Sequence, residues 1–428
     1  MDKFEVVVVG GGLAGLSAAY CLAKDGVEVL VLERGDYSGA KNVTGGRLYL
    51  NPIRHLLPGL FEEAPLERRV TREIISLMGE RASVSINLAS ERFGQKPYHS
   101  FTLLRGKFDR WLSEKVIEAG GALVTKNRVD DLIVVDGKVK GIICGQDNIS
   151  ADVVLAADGV TSLMAEKAGL RSVRKPQDYA VSVKEIIELS PHVIEERFNV
   201  ADGEGAAQTF VGVLTKGMFG GGFLYTNIDS VSLGIVVRVA DLMEKQAPIA
   251  IYDLFEEFKH RPEINALIGG GESVEYSAHL IPEGGIAAVP KLYSDGFLVA
   301  GDAAGLALNI GLTVRGMDFA IASGVLAAKA ISSAKKADDF SKQSLRNYEN
   351  LLKESFVLKD LKTFSNAPRF LDNPRLFTLY PQTACDLLEE LMFIGDKPKR
   401  KLSSTAFGEI RRKVGFSIFK DVFGAFKI

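Results

Sequence analysis

Residues that bind metals are scarce in this 428-residue sequence. It contains three cysteines, Cys21, Cys144 and Cys385, which lie more than 100 residues apart, and five histidines with no close pairing. Zinc and iron–sulfur sites are built from clustered thiolate and imidazole ligands. The sequence therefore predicts no metal site in this chain, and its isolated thiols are typical of a protein in a reducing compartment.

Long apolar runs and a strong net charge are also missing. One uncharged stretch, residues 6–23, approaches membrane-spanning length, but it contains four glycines and lacks the basic segment of a secretory signal. The formal net charge is -2, with 25% charged and 46% hydrophobic residues. We therefore expect a cytoplasmic, globular protein of two to three domains that does not bind nucleic acid.

A glycine-rich turn stands near the start of the sequence. Residues 4–9 form a continuous apolar run that predicts a buried strand, and Gly10, Gly12 and Gly15 follow before a predicted helix over residues 16–24. In such a βαβ unit the first glycine permits the turn, the second admits a diphosphate, and the third packs the helix on the strand. The helix N-terminus then stabilises the negative charge of the diphosphate.

Three carboxylates follow predicted strands further along the chain. Glu33 ends the second strand, where it can accept hydrogen bonds from an adenosine ribose. Two later apolar strands end on Asp158–Gly159 and Gly301–Asp302, and Asp302 can bind the ribityl hydroxyls of a flavin. Because 286 residues separate Gly15 from Gly301, more than a nicotinamide dehydrogenase needs, the pattern favours FAD.

With these motifs the sequence resembles the glutathione-reductase-like flavoproteins. That superfamily includes aromatic hydroxylases, geranylgeranyl reductases and electron-transfer-flavoprotein quinone oxidoreductases. The resemblance extends over nearly the whole chain, because further matching segments are spread along it: Lys41–Arg47, Arg105–Leu112, Gly220–Asn227, Pro282–Gly285 and Phe370–Arg375. Together they look like the C subunit of the Fix/Etf electron-bifurcating complexes.

The resemblance implies one FAD, held by residues from several motifs. We expect Arg105 to open a helix near the cofactor, where its guanidinium can pair with phosphate or ribose oxygens. We also expect residues 309–313 to open the helix after Asp302, with its N-terminus towards the flavin. The expected cofactor-binding residues are Gly10, Gly12, Leu13, Ala14, Gly15, Glu33, Arg34, Lys41, Asn42, Gly45, Gly46, Arg47, Arg105, Val129, Asp158, Gly159, Gly301, Asp302, Asn309, Gly311, Leu312 and Thr313.

The predicted fold is an α/β, glutathione-reductase-like flavoprotein of two domains. A Rossmann-type FAD domain is joined to a second domain with an antiparallel β-sheet, and a helical C-terminal region follows. The expected boundaries are 1–75, 100–175 and 282–334 for the discontinuous FAD domain, 76–99 and 176–281 for the substrate-facing or quinone-facing domain, and 335–428 for the C-terminal region.

The second domain offers few candidates for acid–base catalysis. Tyr225 and His279 are the best polar candidates, although a tyrosine in an alternating strand often only packs against its neighbours and a lone histidine is often structural. A scarcity of acid–base residues fits a protein that only carries electrons. The run around Gly221 and Gly222, with flanking aromatics, can form a slot for a flat quinone beside the flavin; the alternative is an ordinary turn.

The C-terminal segment is unusually basic. Residues 397–428 carry a net charge of +7, while the rest of the chain carries -9. Its aromatic residues repeat on one face of a predicted helix: Phe416, Phe419, Phe423 and Phe426. This pattern suits the inner face of the cell membrane, to which the chain would bind peripherally, but a ferredoxin-like partner or a helix docked on the core also fits.

The resemblance implies transfer of electrons from an electron-transfer-flavoprotein heterodimer, with its α and β subunits, to menaquinone or ubiquinone. The heterodimer would oxidise NADH and split the electron pair between this route and ferredoxin or flavodoxin. Since three isolated cysteines cannot bind a four-thiolate cluster, the resemblance also implies a small ferredoxin-like [4Fe-4S] partner. The alternatives are a geranylgeranyl-reductase-like enzyme, an aromatic hydroxylase and a non-catalytic scaffold for the heterodimer.

Overall fold

The computed structural model describes residues 3–41, 45–171, 175–244, 249–396 and 398–399, and also Lys401, Ser403, Lys413, Val414, Asp421, Val422 and Gly424. Its strands are β1 Lys3–Val9, β2 Val29–Leu32, β3 Gly45–Tyr49, β4 Arg69–Met78, β5 Ser83–Ala89, β6 Ser100–Leu104, β7 Ala122–Val124, β8 Asp131–Val135, β9 Lys138–Cys144, β10 Asp147–Ala156, β11 Tyr179–Glu188, β12 Glu204–Gly212, β13 Gly220–Thr226, β14 Ser230–Arg238, β15 Glu272–Pro282, β16 Tyr293–Ser294, β17 Phe297–Val299, β18 Leu308–Asn309 and β19 Val314–Arg315.

The helices flank the two larger sheets and form most of the C-terminal region. They are α1 Leu13–Lys24, α2 Glu91–Gly94, α3 Arg105–Glu118, α4 Leu163–Lys167, α5 Pro191–Phe198, α6 Val239–Glu244, α7 Ile251–Lys259, α8 Pro262–Ile268, α9 Met317–Lys336, α10 Lys342–Leu345, α11 Asn347–Glu354, α12 Phe356–Thr363, α13 Ala367–Leu371 and α14 Leu379–Met392.

The first sheet is built around parallel strands, in the order β16-β17-β10-β1-β2-β7, with β8 and β9 appended as a hairpin. Val6 to Val9 of β1 are all buried, as expected for a parallel strand covered on both faces. Helix α1 packs beside α3 and α9 over this sheet. The predicted βαβ unit is therefore present, with α1 beginning at Leu13 instead of residue 16.

The second sheet has the order β15-β11-β14-β13-β12-β4-β6-β3, with β5 paired to β4. It is antiparallel apart from the parallel β4–β12 pair. Phe210, Phe255 and Phe258 fill the core between this sheet and α7. The pairing places β3, β6 and β4 in the second sheet, although we expected residues 1–75 and 100–175 in the FAD domain; the difference arises because sheet membership depends on non-local pairing.

The C-terminal helices join both halves of the molecule. Helices α10 to α12 pack on α9, while α14 lies against the second sheet, where Gln382 Oε1 accepts the Glu80 N–H at 2.8 Å. Helix α9 is long and apolar enough to cross a membrane, but most of its length is buried in the first domain. The predicted aromatic face lies outside the described residues: Phe416, Phe419, Phe423 and Phe426.

A fully buried arginine, Arg68, stands just before β4 and forms hydrogen bonds with neighbouring segments. Arg68 is 2% exposed, and its guanidinium donates to the carbonyl oxygens of Asn227, Glu204 and Ile228 at 2.6 to 3.0 Å. It also pairs with Glu195 at 3.1 Å. Since β4 lies in the middle of the second sheet, this residue connects strands that are distant in sequence.

We predict that Arg68→Met lowers the free energy of unfolding by about 3 kcal/mol, because it leaves three carbonyl groups and Glu195 without their buried partner. Arg69→Met is the matched control, since Arg69 is partly exposed and pairs with Glu204 at 3.4 Å; we expect a loss below about 1 kcal/mol. Urea unfolding measures both, and equal losses would contradict this role of Arg68.

Candidate active site

Glycines allow the end of β1 to approach its neighbours closely. Gly10 has a φ of +106°, and a Cβ atom on it would lie 2.3 Å from the Ala157 carbonyl oxygen. A Cβ on Gly15 would lie 2.1 Å from the carbonyl oxygen of Gly10. Both contacts are too short for any side chain. The structure therefore supports the packing role that the sequence assigns to Gly15.

Helix α9 crosses α1 just as closely. A Cβ on Gly324 of α9 would lie 2.1 Å from the Ala14 carbonyl oxygen, and a Cβ on Gly301 would lie 2.8 Å from the Ala14 Cβ. The Gly301 N–H donates to Ser323 Oγ of α9 at 2.9 Å. These contacts bring the Gly301–Asp302 turn beside the first turn of α1, where the two predicted motifs meet.

The groups at this junction fit a flavin dinucleotide. Within the described chain, α1 has neither a capping side chain nor an acidic residue in its first turn, so its N–H groups are open to an anion. Glu33 accepts the N–H groups of Gly11 at 2.8 Å and Gly35 at 2.6 Å. A carboxylate has about four lone-pair positions, so it can also accept ribose hydroxyls. The buried Ser38 hydroxyl has no partner among the described residues.

Asp302 and Arg105 approach this junction from separate elements. Burial raises the pKa of the Asp302 carboxyl, and the charge of Arg105 opposes that rise. Arg105 opens α3, as predicted, and its guanidinium pairs with both oxygens of Asp109 at 2.8 and 2.7 Å. A Cβ on Gly39 would lie 3.0 Å from the Arg105 carbonyl oxygen, so the loop after Glu33 packs against this helix start.

The segment after the Gly301–Asp302 turn differs from our expectation. Residues 309–313 do not open a helix: they form the turn between β18 and β19, and α9 begins only at Met317. The Gly311 N–H donates to Asn309 Oδ1 at 2.8 Å, a local bond that competes with helix formation. Leu312 is exposed. How these residues contact FAD stays a prediction.

Asn309 also reaches the second sheet. Its Nδ2 lies 3.2 Å from one carboxylate oxygen of Glu283, which directly follows β15. Burial raises the pKa of Glu283 to about 7, and the Asn309 hydrogen bond limits the rise. The Pro282–Gly285 motif singled out in the sequence therefore contains a carboxyl group that titrates near neutrality at the junction of the two domains.

The remaining predicted cofactor residues differ in burial and in their hydrogen-bond partners. Val129 is buried, and backbone hydrogen bonds from the Lys126 N–H to the Gly35 carbonyl and from the Asn127 N–H to the Glu33 carbonyl bring its segment beside Glu33. Asp158 Oδ2 accepts the Met164 N–H at 3.0 Å, and its Oδ1 has no partner among the described residues. Arg34 and Lys41 are exposed. Gly159 has a positive φ, and Gly45 and Gly46 lie in β3. Asn42 falls outside the described residues.

Aromatic side chains lie on the face of the second sheet opposite the one that packs on α7. Burial alternates along β13: Gly221, Phe223 and Tyr225 are partly exposed, while the residues between them are buried. The rings of Phe223 and Tyr225 stack with centroids 5.3 Å apart. Burial raises the pKa of Tyr225, so its hydroxyl keeps its proton at neutral pH.

The two glycines proposed for the slot lie on opposite faces of β13. A Cβ on Gly222 would lie 2.7 Å from Phe258 Cζ in the core, so the structure does not bring Gly222 to the face of Tyr225. Gly221 lies on that face, with its Cβ position 2.6 Å from the Phe210 carbonyl oxygen. Alternation along a strand explains the difference, since neighbouring positions point in opposite directions.

A partly buried ion pair lies close to Tyr225, and the sequence analysis did not predict it. Arg47 of β3 donates to both carboxylate oxygens of Glu73 on β4, with Nη1 2.8 Å from Oε2. Its guanidinium also lies 4.5 Å from the centroid of the Tyr49 ring. The sequence offers no signal for this pair, because β3 and β4 meet only through non-local strand pairing.

Comparisons with known proteins agree with this arrangement. Residues 5–93 match the family model "FAD dependent oxidoreductase", residues 179–281 match "ETF-QO, ubiquinone-binding", and residues 367–428 match "ETF-QO/FixC family C-terminal domain". Protein FixC of Escherichia coli K12 is 46% identical over 421 residues, 98% of this chain and 97% of that protein.

Two further comparisons extend the match. The probable electron transfer flavoprotein-quinone oxidoreductase YdiS of Escherichia coli K12 is 43% identical over 420 residues, again 98% of this chain and 97% of that protein. The structure of a geranylgeranyl bacteriochlorophyll reductase-like protein from Thermoplasma acidophilum superposes with a TM-score of 0.73, 22% identity and 98% coverage of both chains. At that identity the likeness shows the fold alone. The cofactor of this chain is therefore FAD, as predicted.

We predict that Asp302→Ala weakens FAD binding about a hundredfold, because the buried carboxylate supplies charge-assisted hydrogen bonds worth about 1.5 to 3 kcal/mol. Flavin absorbance per protein after gel filtration measures the retained FAD. Asp152→Ala is the control, since Asp152 is a partly exposed residue that pairs with Lys3 at 3.2 Å. Full retention of FAD in the Asp302 variant would contradict the assignment.

Proposed function

The chain belongs to the ETF-QO/FixC family of FAD-dependent oxidoreductases, and on that premise we propose that it passes electrons from an electron-transfer-flavoprotein heterodimer to a membrane quinone. One observation carries this proposal. The family model "ETF-QO, ubiquinone-binding" covers residues 179–281, the segment that contains β11 to β15. The same segment supplies the stacked rings of Phe223 and Tyr225.

One set of residues would hold the cofactor, and another would bind the quinone that accepts the electrons. When bound, FAD supplies the ability to take up electrons and release them singly or in pairs. The first turn of α1, Glu33 and Asp302 would hold it, with Arg105 close to Asp302. The stacked rings of Phe223 and Tyr225 offer a flat apolar surface for a quinone head group. Tyr225, which keeps its proton, can donate a hydrogen bond to a quinone carbonyl oxygen.

We further propose that this chain works within a bifurcating complex. The heterodimer would oxidise NADH and send one electron to ferredoxin or flavodoxin and the other through this chain to menaquinone or ubiquinone. A small ferredoxin-like subunit would carry the [4Fe-4S] cluster, since the three cysteines of the sequence cannot supply four thiolate ligands. Each cysteine is free, and they lie in α1, β9 and α14.

The chain's apolar surface supports a peripheral position on the inner face of the cell membrane. At the end of α14, Met392, Phe393 and Ile394 are 78%, 69% and 74% exposed. The segment with a net charge of +7 follows directly. Apolar side chains next to basic residues suit insertion among anionic lipid head groups.

We predict NADH-dependent reduction of a menaquinone analogue, coupled to ferredoxin reduction, when the chain is purified with its heterodimer and ferredoxin-like partner. Omission of this chain from the reconstituted complex is the control, and it should abolish the quinone branch. If the complex reduces neither acceptor while the isolated chain saturates a prenyl lipid with dithionite as reductant, the geranylgeranyl-reductase alternative replaces the proposal.

For membrane association, we predict that replacing Met392, Phe393 and Ile394 by serine lowers vesicle binding about tenfold or more, because burial of each apolar side chain contributes about 1 to 3 kcal/mol. Co-sedimentation with phosphatidylglycerol vesicles measures the bound fraction. Serine at Ile86 and Leu88, two exposed apolar residues of β5, is the control and should leave binding intact. Equal binding of both variants and the wild type would exclude this anchor.

A further inference from the structure

Lys184 lies on the same face of the second sheet as the stacked rings of Phe223 and Tyr225. It belongs to β11 and pairs with Gly234 of β14, and Gly234 pairs in turn with Phe223 of β13. Residues directly opposite each other in antiparallel strands project to the same side of the sheet. The lysine, the glycine and the ring therefore form one row, with the glycine in the middle.

Gly234 lets the ring and the lysine approach each other. A Cβ atom on Gly234 would lie 2.3 Å from Phe223 Cζ and 2.7 Å from the Lys184 Cβ. A side chain at this position would collide with both, and a glycine inside a strand often marks such a close approach. The edge of the Phe223 ring thus leans over β14 towards the base of the lysine side chain.

The other side of these three strands is closed. Val183, Leu224 and Leu233, which alternate with the residues of the row, are buried in the core against α7. Lys184 and Phe223 are partly exposed. A ligand that stacks on the Phe223 ring therefore lies within the range of a long, flexible cationic side chain.

The Lys184 ammonium group makes no hydrogen bond or ion pair within the part of the chain that the structure describes. Lys259, by contrast, pairs with Glu185 of the same strand at 2.7 Å. A partly buried ammonium group without a partner loses hydration and gains no bond in return. The arrangement suits a ligand that brings an oxygen acceptor, and a quinone carbonyl is such an acceptor.

On the basis of the proposed function, we propose that Lys184 is a catalytic residue: it hydrogen-bonds one carbonyl oxygen of a quinone stacked on Phe223 and gives that oxygen a proton. The reduced flavin supplies the two electrons. One N–H bond of Lys184 breaks as the quinone O–H bond forms, and the neutral amine then takes a proton from water. The second quinone oxygen, hydrogen-bonded by Tyr225, takes its proton from water.

The charge of Lys184 fits this role near neutral pH. Burial lowers the pKa of Lys184 to about 8; the charge of Arg105 acts in the same direction, and the charge of Glu275 opposes it. His279, a diagonal neighbour on β15, is uncharged at this pH because burial lowers its pKa to about 4. Lys184 therefore holds its proton below about pH 8 and loses it above, and a proton donor is most effective near its own pKa.

The test compares the holoproteins of wild type, Lys184→Met and Lys184→Arg. Each is reduced with dithionite and mixed anaerobically with menadione, and stopped-flow absorbance gives the limiting rate and the half-saturating concentration from about pH 6 to pH 10. The matched control is Lys216→Met, which removes a lysine of the same domain that pairs with Glu257 at 2.7 Å. Flavin absorbance and thermal unfolding verify that each variant is loaded and folded.

We expect the limiting rate of wild type and of Lys216→Met to fall above about pH 8. Lys184→Met lowers this rate about a hundredfold at neutral pH, a typical contribution of a general acid, and removes the fall. Lys184→Arg keeps the charge but binds its proton too tightly, with a pKa above about 12, so its rate lies between the two and shows no fall near pH 8.

Two results would overturn the role of Lys184 while the proposed function stands. One is a Lys184→Met variant with the limiting rate and pH profile of an active wild type. The other is a loss confined to the half-saturating concentration, which would make Lys184 a binding group that gives no proton. A wild-type holoprotein that does not reduce menadione would contradict the proposed function itself.

Discussion

The close approach of helix α1 to its neighbours is the constraint on which the active site depends. Its first turn touches the end of β1 at Gly10 and helix α9 at Gly324, at separations that leave no room for side chains. This contact places the open N–H groups of α1, Glu33 and the Gly301–Asp302 turn around one point. A larger residue at either glycine would separate the helices and displace the cofactor-binding groups from each other.

Much of the first domain could be predicted because its signals are local. The βαβ unit and the helix that begins at Arg105 follow from short segments of sequence, and their bounds differ from our predictions by only a few residues. Residues 309–313 were wrongly predicted to open a helix, since the bond from the Gly311 N–H to Asn309 Oδ1 favours a turn. Such a side-chain bond is not visible in hydrophobic periodicity.

The second sheet could be predicted less completely. The sequence predicted an antiparallel sheet for this domain, but β3 and β6 join the sheet through pairing between distant segments. The same limitation hid the Arg47–Glu73 pair beside Tyr225. The candidate site residues therefore come from two sheets whose relative position the sequence does not predict.

The central claim is that the aromatic face of β13 receives a quinone next to the cofactor. Anaerobic stopped-flow mixing of dithionite-reduced holoprotein with a menaquinone analogue tests this claim most directly, with wild type compared with a Phe223→Ala, Tyr225→Ala double variant. The account predicts that reoxidation saturates with quinone concentration in wild type and is at least about tenfold slower in the variant, because the stacking surface is lost. A rate that rises linearly with quinone concentration and is equal in both proteins would contradict it.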